Sequence, residues 1–190
     1  THHGQACTTT NAAAVACAAA ILKRGKLLLA HTHARRSTLE SCLLDETALR
    51  ERDAGDFANQ GMDALLRLSR SERLRKEMVP DYTWSLLQEH RLDLLPGTTK
   101  EALPDGESEG HIGEVFRCAV QSYDNVLVDV HSGVEAAGTV TLLQAADLCL
   151  VCLNQNRALL DTAFEKGDMR QVLNGKPVRY LISDRKSTRL

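Results

Sequence analysis

Apolar and polar positions change over in short blocks along this chain. Residues 26–31 (Lys26-Leu27-Leu28-Leu29-Ala30-His31) form a continuous apolar run between turn signals, the pattern of a strand buried on both faces. Similar runs recur at residues 92–95, closed by Pro96-Gly97, and at 125–130, 147–153 and 177–182. Between them lie segments of helical character. An alanine-rich stretch follows Thr10 or Asn11, either of which suits a cap, and runs to about Arg24 with Gly25 as its stop. Ser37-Thr38-Leu39-Glu40 has capping-box spacing and predicts a helix to about Asp45. Residues 62–78 read as a pair of surface helices, and 112–121, 136–146 and about 156–165 as further helices. Residues 53–60 are polar with one glycine, 103–110 carry Pro, Asp and Gly, and both read as loops.

Strands alternating with helices at this spacing predict an α/β domain whose sheet is mostly parallel and flanked by helices on both faces. A length of 190 residues suits one such domain. The expected domain covers residues 1–183, cut at both ends. It starts on a loop with no strand before it, and residues 184–190 (Asp-Arg-Lys-Ser-Thr-Arg-Leu) are what a common sequencing adapter encodes in frame.

Composition narrows the picture slightly. A net charge of -2 supplies no electrostatic footprint for nucleic acid. The longest apolar run, residues 12–22, is too short to span a bilayer. Six cysteines scattered within apolar patterns read as reduced thiols of a cytoplasmic protein. Cys149 and Cys152 have C-x-x-C spacing, but in a strand they point to opposite faces and do not make a metal knuckle. The basic stretches Arg35-Arg36 and 67–76 have a ready explanation as solvated helix surface, with an acidic partner as the alternative.

The unusual polar residues collect at three places: the loop before the alanine-rich helix, His31-Thr32-His33, and Asp129-Val130-His131-Ser132-Gly133. In an open α/β sheet, ligands sit beyond the carboxyl ends of strands, so these places predict one site. The loop His3-Gly4-Gln5-Ala6-Cys7-Thr8-Thr9 opening a helix has the layout of an anion cradle, because the first helical N–H groups are unpartnered.

Here the chain resembles the ParA/MinD group of P-loop ATPases with a deviant Walker A motif. The group's K-G-G-x-G-K-[TS]-T loop aligns with residues 2–9. Its D-x-D at the second strand aligns with His31-Thr32-His33, and its Walker B D-x-x-x-G with Asp129 to Gly133. Leu94-Leu95-Pro96-Gly97 and Leu153-Asn154-Gln155-Asn156 add to the likeness. The loop pattern H-G-Q-x-x-T-T-x-N further resembles the degenerate TadZ/CpaE-like branch of Tad (Flp) pilus assembly proteins.

The resemblance implies ATP or ADP with Mg²⁺, held by His3, Gly4, Gln5, Ala6, Cys7, Thr8 and Thr9, with Thr8 and Asp129 serving the metal. It also implies a homodimer through the nucleotide face. Its further implications are pilus or secretion machinery as partner and membrane association only through partners. The departures bear on catalysis. Cys7 replaces the phosphate-loop lysine, His2 the signature lysine that reaches across a dimer, Ala6 the last loop glycine, and His31 or His33 the water-positioning aspartate. Losing both lysines removes the charge stabilisation on which phosphoryl transfer depends. The expectation is therefore a nucleotide-binding pseudo-ATPase, with Asp129 the sole catalytic candidate. The alternatives are a slow partitioning-type ATPase and a metal-dependent enzyme on the histidines. For that last reading His31, His33 and His131 are the candidates, and Zn²⁺ is the lesser expectation because no completing ligand is fixed.

Overall fold

The computed structural model describes residues 7–22, 25–33, 38–53, 60–98, 107–131, 138–154 and 171–183. At its centre is β1 (Leu27–His31), every residue of which is buried. It pairs in parallel with β3 (Leu92–Leu94) on one side and β4 (Asn125–Asp129) on the other. An outer strand, β2 (Trp84–Leu87), pairs antiparallel with β3, so the four-stranded sheet runs β2-β3-β1-β4. A second, parallel pair is formed by β5 (Cys149–Asn154) and β6 (Val178–Ser183).

The alternation of β1 side chains explains why both faces must be covered. Leu28 and Ala30 enter one core, built with Leu65 and Leu66 of α4 (Gly61–Arg70), Ile112, Val115 and Phe116 of α5 (Glu107–Ser122), and Leu142 of α6 (Thr139–Ala145). Leu27 and Leu29 enter the other, with Ala13, Ala16 and Ala20 of α1 (Thr8–Leu22) and Leu39 of α2 (Thr38–Leu43). The alanines of α1 let its backbone lie close to the sheet. An eight-residue α3 (Glu46–Asp53) follows α2. The fold class is thus the expected α/β arrangement, a mostly parallel sheet with helices on both faces.

Several local expectations change. The first helix begins at Thr8, not after Thr10 or Asn11, because the Cys7 carbonyl already accepts the Asn11 N–H at 2.9 Å. Residues 107–110, expected in a loop, are the first turn of α5. Helix α4 ends at Arg70, and the remainder of the expected pair is a 3-10 segment, Lys76–Tyr82, interrupted by Pro80. Neither α3 nor β2 was expected. The helix expected at 156–165 lies outside the described residues.

Candidate functional site

The sheet register brings the polar residues together. His31 and Asp129 are Cα partners at the carboxyl ends of β1 and β4, and the Thr32 N–H donates to the Asp129 carbonyl at 3.1 Å. Helix α1 starts against these ends. Its Thr9 Oγ1 donates to Asp129 Oδ2 at 2.7 Å, joining the first helical turn to the end of β4. The other carboxylate oxygen, Oδ1, is buried with no hydrogen-bond partner among the described residues. His33 Nε2 lies 3.2 Å from Oδ2, close enough for charge pairing but not placed as a hydrogen bond, and it too is a buried atom with no hydrogen-bond partner among the described residues. The His31 and His33 rings stack at 5.7 Å between centroids, and His131 tilts against His33 at 5.8 Å.

His31 is held by a different carboxylate from that of Asp129. It is 1% exposed, and its Nε2 lies 2.8 Å from Glu40 Oε1 on α2. The same oxygen accepts the Gly97 N–H at 3.1 Å, so α2, β1 and the segment after β3 meet at one carboxylate. Burial alone would push the Glu40 carboxyl up, but the His31 hydrogen bond, the His31 charge and the Gly97 N–H together hold it below its ordinary value of 4.5. A carboxyl lowered by folding adds stability above its ordinary value and loses it as pH falls through the lowered one. Urea midpoints should therefore fall between about pH 6 and about pH 3, with Glu40→Gln starting lower and giving a flatter acid limb. An acid limb of unchanged steepness in that variant would remove Glu40 from the account.

Cys7 is exposed and adopts φ +52°, a left-handed conformation that is uncommon for a residue with a side chain. Cys152 of β5 lies near the same turn, close to the Asn11 and Thr8 side chains. Burial pushes that thiol up, and the Asp129 charge adds to the shift against the opposing pull of Asn11 and Thr8. Cys149 instead lies toward Leu143 of α6, so the two cysteines of the C-x-x-C spacing have different neighbours.

Of the residues expected from sequence, Cys7, Thr8, Thr9, His31, His33, Asp129 and His131 are described and gather around the ends of β1 and β4. His2, His3, Gly4, Gln5, Ala6 and Gly133 lie outside the described residues. Sequence reasoning assigned Thr8 and Asp129 to a metal ion, and the structure adds Thr9, whose hydroxyl donates to the Asp129 carboxylate. It also missed Cys152 beside α1 and Glu40 beneath His31. The only signal for Glu40 was a carboxylate at a helix start, which the capping-box spacing already explained. Among the described residues no group of three or more His, Cys, Asp or Glu is placed to hold a metal ion.

The fold has counterparts in solved structures. The fold is that of the ParA and MinD ATPases. A ParA family ATPase from Chlorobium tepidum TLS superposes with a TM-score of 0.68 at 16% identity, over 95% of this chain and 70% of that one. The septum site-determining protein MinD of Pyrococcus horikoshii OT3, solved with Mg-ADP, gives 0.62 at 17% identity, over 94% of this chain and 65% of that one. The MinD cell division protein of Aquifex aeolicus gives 0.57 at 20% identity, over 94% and 64%. This chain therefore spans just under two thirds of the two MinD proteins. No protein-family model matches the sequence, and a search of curated proteins gives no match.

Proposed function

We propose that this chain is a ParA/MinD-like nucleotide-binding protein that holds ATP or ADP with Mg²⁺ at the start of α1 and hydrolyses it poorly. The observation that carries the reading is the 2.7 Å bond from Thr9 to Asp129, which ties a helix N-terminus suited to phosphate to the carboxylate at the end of β4. The unpartnered Asp129 Oδ1 fits a water-mediated contact to a divalent cation. When bound, Mg²⁺ neutralises phosphate charge. Thr8 and Thr9 are the hydroxyls available to it, and Asp129 holds it from the strand side.

Slow hydrolysis follows from what stands at the charged positions. Cys7 brings no cation to the phosphates, and His33 sits beside Asp129 where an acidic residue would position water. Phosphoryl transfer depends on positioning and charge stabilisation, so these changes reduce turnover more than binding. At the finer level we place the chain with the TadZ/CpaE-like organisers of Tad pilus or secretion systems, acting as a homodimer through the nucleotide face. The loop His3-Gly4-Gln5 to Asn11 supports that placement. Among the described residues no helix is long and apolar enough to cross a membrane, so attachment there would run through partners.

Thermal denaturation with and without Mg-ATP tests the reading. Ligand at a hundredfold over Kd stabilises by about 2.7 kcal/mol, so a clear rise in Tm is expected at millimolar nucleotide. No shift would remove nucleotide from the function. Phosphate release should stay well below about 1 per second, and a rate at or above that value would make the protein a working ATPase.

A further inference from the structure

A second surface, around the C-terminal end of α4, carries a run of basic side chains. From residue 67 to 77 there are five basic side chains (Arg67, Arg70, Arg73, Arg75, Lys76) against two acidic ones, on a chain whose net charge is -2. Arg67 and Arg70 occupy the last turn of α4, where the helix dipole favours a cation. Arg73 and Arg75 lie beyond the helix and have no such explanation. Neither guanidinium has a carboxylate partner among the described residues.

The chain turns back at this point in a helix C-cap. Glu72 takes φ +55°, and the Arg73 N–H returns to the Leu68 carbonyl at 2.9 Å, folding the segment back over the end of α4. The turn walls two adjoining clefts that share Arg73. One, of about 410 Å³, is lined by Glu72, Arg73, Arg75 and Met78. The other, of about 350 Å³, lies between Arg67 and Arg73 over Leu68 and Tyr82. Each cleft thus combines apolar surface with guanidinium groups at its rim, and Leu68 and Tyr82 are packed on the core beneath.

We propose that these clefts dock an acidic segment of a partner protein, its carboxylates meeting Arg73 and Arg75 and one apolar side chain seated over Leu68 and Tyr82. Arginine forks suit carboxylates because two parallel N–H bonds reach one group. A nucleic acid backbone fits less well. Glu72 and Glu77 break the basic run, so two discrete carboxylates can reach Arg73 and Arg75 where an unbroken row of phosphates would also meet Glu72, and among the described residues Tyr82 is the one aromatic ring lining either cleft.

Fluorescence anisotropy on the full chain tests this with three probes: a short Glu-rich peptide containing one Phe, the same peptide with Ala for Phe, and a DNA duplex. The Phe peptide should bind best and weaken with salt, and the Ala peptide should bind less tightly. Arg73→Glu combined with Arg75→Glu should weaken the Phe peptide by about tenfold or more while the melting curve stays unchanged. Equal binding by variant and parent would overturn the proposal, as would no binding of the Phe peptide. Tighter binding of the duplex, lost in the variant, would make this a nucleic-acid surface instead.

Discussion

Gly97→Ala is expected to destabilise the protein by about 3 kcal/mol, at the upper end of the usual range for overpacking. A Cβ at this position would fall within the envelope of the His31 ring at Cε1 and Nε2, and 3.1 Å from Nδ1. A flexible side chain would swing aside cheaply, but this ring is buried and anchored 2.8 Å from Glu40. The backbone N–H of Gly97 is itself tied to that carboxylate, so neither partner has room to move. Urea denaturation checks the result against Gly110→Ala, where nothing lies within 4 Å of a new Cβ. That control should stabilise by roughly 0.5–1 kcal/mol, since alanine is the better residue inside a helix. Similar behaviour of the two variants would mean that the His31–Glu40–Gly97 junction is not a fixed point of the fold.

The second large effect concerns binding. Cys7→Lys should tighten Mg-ATP by about ten- to a hundredfold, the range expected for one added hydrogen bond to a charged group. Cys7 is exposed at the start of α1, so the longer side chain has space, and its φ of +52° is shared by both variants. Titration of a fluorescent ATP analogue reads the change directly. Hydrolysis should remain slow, because the residues at His2 and His33 are unaltered. Unchanged affinity would mean that position 7 does not face phosphate and that the alignment of the loop is shifted.

How far this was legible depended on whether a signal was local. Strand β1 announced itself because a strand buried on both faces needs an unbroken apolar run, and Leu27 to Ala30 are one. Strand β2 was hidden: Trp84, Ser85, Leu86 and Leu87 form an edge, and their pairing with β3 includes an irregular register after Ser85. The first turn of α5 was masked by Gly110, whose turn preference is overridden by packing of the apolar face beyond it. At the site, Asp129, His31 and His33 were visible as polar residues closing apolar runs. Glu40 was not, since its partners His31 and Gly97 come from different elements and local spacing already offered a capping explanation. Thr8 and Thr9 were both in view, but which hydroxyl faces Asp129 is set by the angle at which α1 meets the sheet. Loop spacing alone carries no such angle.

The register of β1 against its neighbours has a consequence for how the molecule assembles. Leu28 pairs with Asp93, and His31 pairs with Asp129, so both seams of the central strand close across long stretches of chain. Contacts of such sequence separation form only after large loops have been closed, which makes them slow to appear and mutually dependent once present. The side chains at the ends of β1 and β4 therefore cannot meet in a locally folded fragment. They come into being with the sheet, and separating these strand ends means opening one of its central seams.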